Sequence, residues 1–370
     1  MALQPLPDYP WGLVEPYAER ARAHEGGIVD LSIGSPVDPT PALIRDALAA
    51  ATDAHAYPSV AGSPPLQEAI VQWFARRRGV AGLTAANVLP TVGSKELVAL
   101  LPLLLGLGEG DVVVHPVAAY PSYDIGARVA GATPVAADNP AQWPENTRLV
   151  WLNSPGNPDG RVLDTAALAA AVARARELGA VVASDECYAE LGWDGPWASE
   201  PIPCVLDARV TGGDLSGVLS VYSLSKQSNL AGYRAAFVGG DPALISKLLN
   251  TRKHLGLMLP APVAEAMIVA LGDDAHVREQ KERYRARRDR LRPALEAAGF
   301  RIDHSEAGLY LWATEGRDAW ESMQRLAELG ILAGPGVFYG DAAPQHVRFS
   351  LTASDERIEQ AAQRLQASTA

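Results

Sequence analysis

RLVWLNSPGNPDGRVLDTAALAAAVARARELGAVVASDECY, residues 148–188, decides the fold. Two short apolar runs, RLVWLN (148–153) and AVVASDE (180–186), enclose one helical pattern, TAALAAAVARARELG (165–179). Strands that are apolar nearly throughout need cover on both faces, as in a parallel sheet. Further runs of the same kind lie outward on both sides: DVVVHP (111–116), TPVAAD (133–138), GVLSVYS (217–223) and AAFVGG (235–240). Residues 63–79 read as a helix, with Ser63 at the N-cap, Pro64 in the first turn and Gly79 as the stop. Strands alternating with helices predict an α/β protein with a large, doubly wound, mostly parallel sheet over residues 41–260.

The pattern changes after residue 260. A long charged helix (273–298) precedes FRIDHSEAGLYLWAT, a helix at 318–329, HVRFSLT and a final helix. That is a smaller α+β unit over 261–370. The opening 40 residues are Pro-rich and read as loop, with Trp11 and Tyr17 as anchors, and are expected to pack on this smaller unit.

A length of 370 residues suits two domains rather than one core. With 48% hydrophobic and 20% charged residues, the chain is globular, not disordered. A net charge of −11 argues against nucleic acid or an anionic membrane as the main partner. Cys187 and Cys204 cannot build a disulfide framework or a four-ligand zinc site, and the seven histidines show no metal spacing. LVALLPLLLGLG (97–108) is too short to cross a bilayer and MALQPLPDYPW carries no signal-peptide pattern, so a cytoplasmic location is expected. The basic run around 281–292 alternates with acids and reads as a solvated helix face.

Ligands of open α/β sheets bind beyond the carboxyl ends of the strands. Asp185 ends one strand and Tyr188 follows three residues later. Lys226 follows GVLSVYSLS, Asn157 follows RLVWLNSPG, and Ser94 and Lys95 open a helix after VLPTVG. A carboxylate, a phenol, an amine, an amide and a helix N-terminus thus meet at one edge. Together they describe a pocket for a flat, anionic, carbonyl-bearing cofactor.

SLSKQSNLAGYR (223–234) resembles the lysine segment of fold-type I pyridoxal-phosphate enzymes, the class I aminotransferases. NSPGNPDG (153–160), SDECY (184–188), AYPSYDIGA (119–127), YPSVAGSPPLQEAI (57–70) and VRFSLT (347–352) are similar to the family's other blocks, in its order. The opening LPDYPWGLVEPYAERARAHEGGIVDLSIGSPVDPTP looks most like actinobacterial-type N-succinyldiaminopimelate aminotransferases of lysine biosynthesis.

The resemblance implies pyridoxal 5'-phosphate as cofactor, glutamate and 2-oxoglutarate as the donor pair, and a role for each residue. Lys226 would supply the amine for a Schiff base and then shuttle the proton. Asp185 would face the pyridine nitrogen and Tyr188 the phenolate oxygen. Arg234, Ser94, Lys95, Ser223 and Ser225 would hold the phosphate, with Ser223 the better match of the two strand-end serines. Tyr120 would stack on the ring. Asn157 would bond the phenolate oxygen and the substrate carboxylate, often from a cis peptide before Pro158, although Asp159 stands where Thr is commoner. Arg348 would clamp the α-carboxylate, and Gly34 would let backbone approach it. Tyr57 would reach the partner subunit's phosphate, which implies a homodimer with shared sites. The position that reads a distal carboxylate in aspartate-specific relatives falls near Leu255, so Arg252, Lys253 and His254 become the candidates here. Other specificities (aspartate, aromatic or alanine) and a pyridoxal-phosphate carbon–sulfur β-lyase share these cofactor residues. A DNA-binding regulator built on the same fold would carry an additional N-terminal helix-turn-helix module, which is not expected here, and the net charge of −11 points away from DNA.

Overall fold

The protein is described by a computed structural model covering residues 6–8 and 10–368. Seven strands form the central sheet, in the spatial order Val88–Val92, Ala235–Gly240, Val218–Ser223, Val181–Asp185, Thr147–Asn153, Val112–His115, Thr133–Ala136. All neighbours pair parallel except at Ala235–Gly240, which is antiparallel to both of its partners. The strands alternate faces with period two. Val112, Val114, Val150 and Leu152 pack into one apolar layer, and Val113, Leu149, Trp151 and Val221 into the other. The helices Pro64–Arg78 and Thr165–Leu178 cover the first layer; Ser94–Leu104, Ser122–Ala130 and Pro242–Leu255 cover the second. This is the α/β fold read from the sequence.

Chain order reverses between Val112–His115 and Thr147–Asn153. From the first the chain moves outward to Thr133–Ala136; from the second it moves the other way. The crevice beyond such a reversal is where doubly wound sheets bind ligands.

A four-stranded antiparallel sheet, ordered Gly334–Pro335, His346–Ser350, Tyr310–Thr314, Arg301–Ile302, forms a second unit with its own core around Leu291, Leu311, Met323, Phe349 and Leu365. Ala264, Ala266, Met267, Ala270 and Leu271 of the Ala261–Gly272 helix join the core of the large sheet instead. We propose a division into two units, with this helix on the large side.

Two local readings need correction. The opening segment is not all loop: Pro10–Val14 is a 3-10 turn and Glu15–Arg22 an α-helix. Pro16 is compatible with a first helical turn, and Ala18 and Ala21 give the helix a buried face. Trp11 meets Phe338 edge-on at 5.4 Å and Tyr17 stacks on Trp320 at 5.5 Å, so this segment does pack on the smaller unit. The basic run on the Ala275–Ala297 helix is not simply a solvated face. Arg287 is buried and pairs with Asp38 and Asp355, both at 2.6 Å, and the buried Arg288 pairs with Asp194. The acids that meet these arginines come from distant segments, which local alternation of charge does not reveal.

Among the described residues no helix is long and apolar enough to cross a membrane, and no cluster of His, Cys, Asp and Glu is placed to hold a metal.

The Ser122–Ala130 helix crosses Ser94–Leu104 at Gly126, where an added Cβ would lie 2.9 Å from the Val98 carbonyl and 3.0 Å from that of Ala99. Both contacts are backbone and cannot give way as a side chain would. Gly126→Val is expected to cost about 1–3 kcal/mol and lower Tm by several degrees. Gly131→Asn, at the left-handed end of the same helix with open space around it, should stay near wild type. Thermal melts of both variants check this.

Candidate active site

Strand register sets the floor of the site. Asn153 lies opposite Asp185, and Asp185 opposite Val221, so these strands end level at their carboxyl edge. The Tyr123 hydroxyl donates to Asp185 Oδ2 at 3.0 Å and the Cys187 amide donates to Oδ1 at 3.2 Å. Burial pushes the Asp185 carboxyl above its usual range, while the hydrogen bonds from Cys187 and Tyr123 pull it back. The neighbouring Glu186 serves the structure instead. Its carboxylate is fully buried, pairs with Arg78 at 3.0 Å and accepts the Val205 amide at 2.7 Å.

Lys226 follows the Val218–Ser223 strand on the short helical turn Leu224–Gln227. Its ammonium donates to the Gly34 carbonyl. Burial lowers its pKa, the nearby Arg348 and Arg234 lower it further, and Tyr310 partly opposes them. The Tyr188 hydroxyl lies 3.3 Å from that of Tyr310, and burial raises the Tyr188 phenol well above the ordinary tyrosine range.

One end of the site is built for an anion. The Ser94–Leu104 helix opens at Gly93, whose amide donates to the Arg234 carbonyl at 2.7 Å. Arg234 itself sits in the left-handed region, φ 57°, a strained setting for a residue with a Cβ. Its guanidinium packs over Gly93 so closely that a Cβ there would lie 2.0 Å from it. Ser223 donates to the Ser225 hydroxyl at 2.8 Å on the adjacent strand end, and the Ser94 hydroxyl reaches the Cys187 thiol. Helix N-terminus, guanidinium and hydroxyls together fit a phosphate. Lys95 is exposed at the mouth, its ammonium 5.8 Å from the centre of the Tyr120 ring. Tyr120 meets Tyr123 edge-on at 5.9 Å.

Arg348 closes the opposite end. It is 4% exposed, donates to Asn157 Oδ1 at 2.8 Å and to the Ser32 carbonyl at 2.7 Å, and its Nε has no partner. Among the described residues no carboxylate pairs with it. Asn157 is held by the Asn153 side chain, which accepts its amide at 2.8 Å, and the Asn157–Pro158 peptide is cis. Asp159 keeps the turn in order by accepting the Arg161 amide at 3.2 Å. Gly34 is buried beside Lys226.

The fold therefore gathers Lys226, Asp185, Tyr188, Asn157, Arg348, Gly34, Ser94, Ser223, Ser225, Arg234 and Tyr120 around one cleft, with Lys95 at its mouth. Tyr57 stands apart, 95% exposed. Arg252 must be withdrawn as a distal-carboxylate reader: it is fully buried and pairs with Glu96 at 2.7 Å, fastening the Pro242–Leu255 helix to the start of Ser94–Leu104. Lys253 and His254 are exposed. Sequence reasoning missed Tyr123, Asn153, Tyr310 and Tyr339. The first two lie inside quoted blocks, Tyr123 one helical turn after Tyr120. Tyr310 and Tyr339 enter only through tertiary packing against Arg348.

Residues 27–365 match the family pattern of aminotransferase class I and II. The chain belongs to that family. It is 54% identical over 364 residues to a 4-dedimethylamino-4-oxo-anhydrotetracycline transaminase of Streptomyces rimosus, covering 98% of this chain and 100% of the relative. It is 53% identical over 361 residues to a probable aminotransferase of Mycobacterium tuberculosis, covering 97% and 85%. The solved probable N-succinyldiaminopimelate aminotransferase of Thermus thermophilus superposes with a TM-score of 0.86 at 29% identity, covering 97% of this chain and 100% of the other. The protein is a pyridoxal 5'-phosphate-dependent aminotransferase. The donor set suits that group: an anion cradle at one end, a buried carboxylate in the middle, and an amine and a phenol between them.

Asp185→Asn separates cofactor chemistry from folding. A carboxyl whose pKa is raised by folding binds its proton more tightly in the native state, so its contribution to stability falls as pH rises from the unfolded carboxyl range through the native value. At neutral pH the apo Asp185→Asn variant should therefore melt at or above the wild-type temperature, while retaining cofactor poorly and losing most activity. Melting curves with and without cofactor check it. A large drop in apo Tm would contradict it.

Proposed function

We propose that this aminotransferase exchanges an amino group between the glutamate/2-oxoglutarate pair and an N-succinylated keto acid, N-succinyl-2-amino-6-oxopimelate, giving N-succinyl-LL-2,6-diaminopimelate in lysine biosynthesis. The observation that carries the amino-acid part is Arg348. A buried guanidinium with a free Nε, beside the Asn157 amide, is a preformed place for an α-carboxylate. The choice of acid draws on the opening block of the sequence and on the Thermus thermophilus relative.

In this reading Arg348, Asn157 and the Gly34 backbone bind and orient the α-carboxylate. Ser94, Lys95, Ser223, Ser225 and Arg234 would hold the cofactor phosphate, Tyr120 would stack on its ring, and Asp185 would pair with its pyridine nitrogen. Bound pyridoxal phosphate supplies the electron sink that makes the substrate Cα–H acidic. Lys226 moves the proton at Nζ, and the low dielectric that depresses its pKa keeps the neutral amine accessible. Tyr188 would donate its phenol proton to the cofactor's phenolate oxygen. Tyr57 of a second copy completes the phosphate site, so the active unit is a homodimer. A chain that stays monomeric by light scattering yet fully active would exclude the shared site.

The 54% relative favours a second reading, a ring ketone as amino acceptor. Amino-group exchange from glutamate to a panel of keto acids and an oxo-anhydrotetracycline decides between them. The N-succinylated keto acid should give the highest kcat/KM, and the result that overturns this choice is preference for the ring ketone.

Lys253 and His254 remain the candidates for the terminal carboxylate of the succinyl arm. Removing one charge-assisted contact should cost about 1.5–3 kcal/mol in kcat/KM for the succinylated substrate and much less for glutamate. If Lys253→Ala and His254→Ala both keep the wild-type ratio of the two half-reactions, neither residue reads that group.

A further inference from the structure

In the small sheet Trp312 lies opposite Arg348. Period two puts Tyr310 on the face of Trp312, diagonal to Arg348 and within its reach. The Arg348 guanidinium lies over the Tyr310 ring, 3.9 Å from its centre, with Tyr339 at 4.7 Å. An aromatic face supports the guanidinium plane while leaving its N–H fork free at the edge. The other end of the same side chain does something different. The Tyr310 hydroxyl sits 3.3 Å from that of Tyr188. It also occupies the space a Cβ on Gly34 would need, 2.2 Å away, and the Gly34 carbonyl takes the Lys226 ammonium. Gly34 is thus the bed for this hydroxyl as well as part of the carboxylate end.

We propose that Tyr310 is a positioning residue that couples the two ends of the site, its ring setting the plane of Arg348 and its hydroxyl setting Tyr188. This rests on reading Arg348 as the carboxylate clamp and Tyr188 as the cofactor-facing phenol. The charged and titratable groups around Tyr310 are Arg348, Lys226, Tyr188 and Cys187. Burial raises its phenol, but the two cations and the bond to Tyr188 outweigh that and hold it below the ordinary tyrosine range. A carboxylate seated on Arg348 cancels part of this pull, so filling the clamp alters the proton that Tyr310 shares with Tyr188.

Two variants split the ring from the hydroxyl. Tyr310→Phe keeps the ring: KM for glutamate should stay within about threefold, while kcat falls about tenfold and the pH midpoint of the bound cofactor's visible band shifts. Tyr310→Leu removes both, and KM should rise at least about tenfold as well. In the apo chain, ultraviolet titration should show one early-ionising tyrosine that Tyr310→Phe lacks. Gly34→Ala, which displaces the hydroxyl without removing it, should reproduce the band shift. An unmoved band in Tyr310→Phe, or constants that fall together with Tm in both variants, overturns the coupling. Arg348→Lys keeps the two readings apart. If it leaves KM for glutamate unchanged, the clamp reading fails and this proposal with it; if it raises KM while the Tyr310 variants behave as wild type, only the coupling fails.

Discussion

A buried guanidinium that meets no carboxylate among the described residues organises this molecule. Taking Arg348 out of water is costly, and its return comes from an amide oxygen, a backbone carbonyl and two aromatic faces rather than from a carboxylate. Those partners come from four places: Asn157 from the loop after a large-sheet strand, Ser32 from the opening segment, Tyr310 from the neighbouring small-sheet strand, and Tyr339 from a 3-10 turn. The N-terminal segment, the large sheet and the small unit therefore meet at one cation. The same cation keeps one buried N–H, at Nε, unpaired among the described residues.

The rest of the cleft follows the same electrostatic logic. Lys226 and Arg348 share a desolvated space, in which the charge of Arg348 and of Arg234 pulls the Lys226 pKa down further. The excess of positive charge is local, in a chain whose net charge is −11. Global charge governs what the surface attracts, whereas a pocket of cations and helix amides governs what the interior holds. Asp185 tolerates burial because Tyr123 and the Cys187 amide hydrogen-bond its charged form.

How much of this the sequence disclosed depended on the range of the interaction. The alternation of apolar strands and helices, Ser63 and Gly79 as caps, and the polar residues after strand ends are local patterns, and each reappears in the structure. The helix at Glu15–Arg22 was hidden because its flanking prolines look like loop, although Pro suits a first helical turn. Arg252 looked like a free cation at a helix end because its partner, Glu96, lies 156 residues away. Arg287 and Arg288 misled in the same manner. Tyr310 and Tyr339 carry no motif at all: an aromatic residue on an apolar strand reads as core until the strand beside it is known to present an arginine.

The division between near and far contacts also explains how one frame can serve unlike substrates. Residues around Arg234, Asp185 and Arg348 sit at strand ends, at a helix N-terminus or against buried partners, where one displaced side chain disturbs several others. Several other positions are of another kind. Ile33 and Val37 flank Gly34 with more than half of their surface exposed, and Lys253, His254 and Tyr57 are open to solvent. Substitution at such positions leaves the core untouched. A relative with 54% identity, named for an oxo-anhydrotetracycline, and a solved structure with 29% identity, named for N-succinyldiaminopimelate, can therefore share this architecture without sharing a substrate. One fold carries many functions, so identity along the whole chain speaks for the buried frame and not for the substrate.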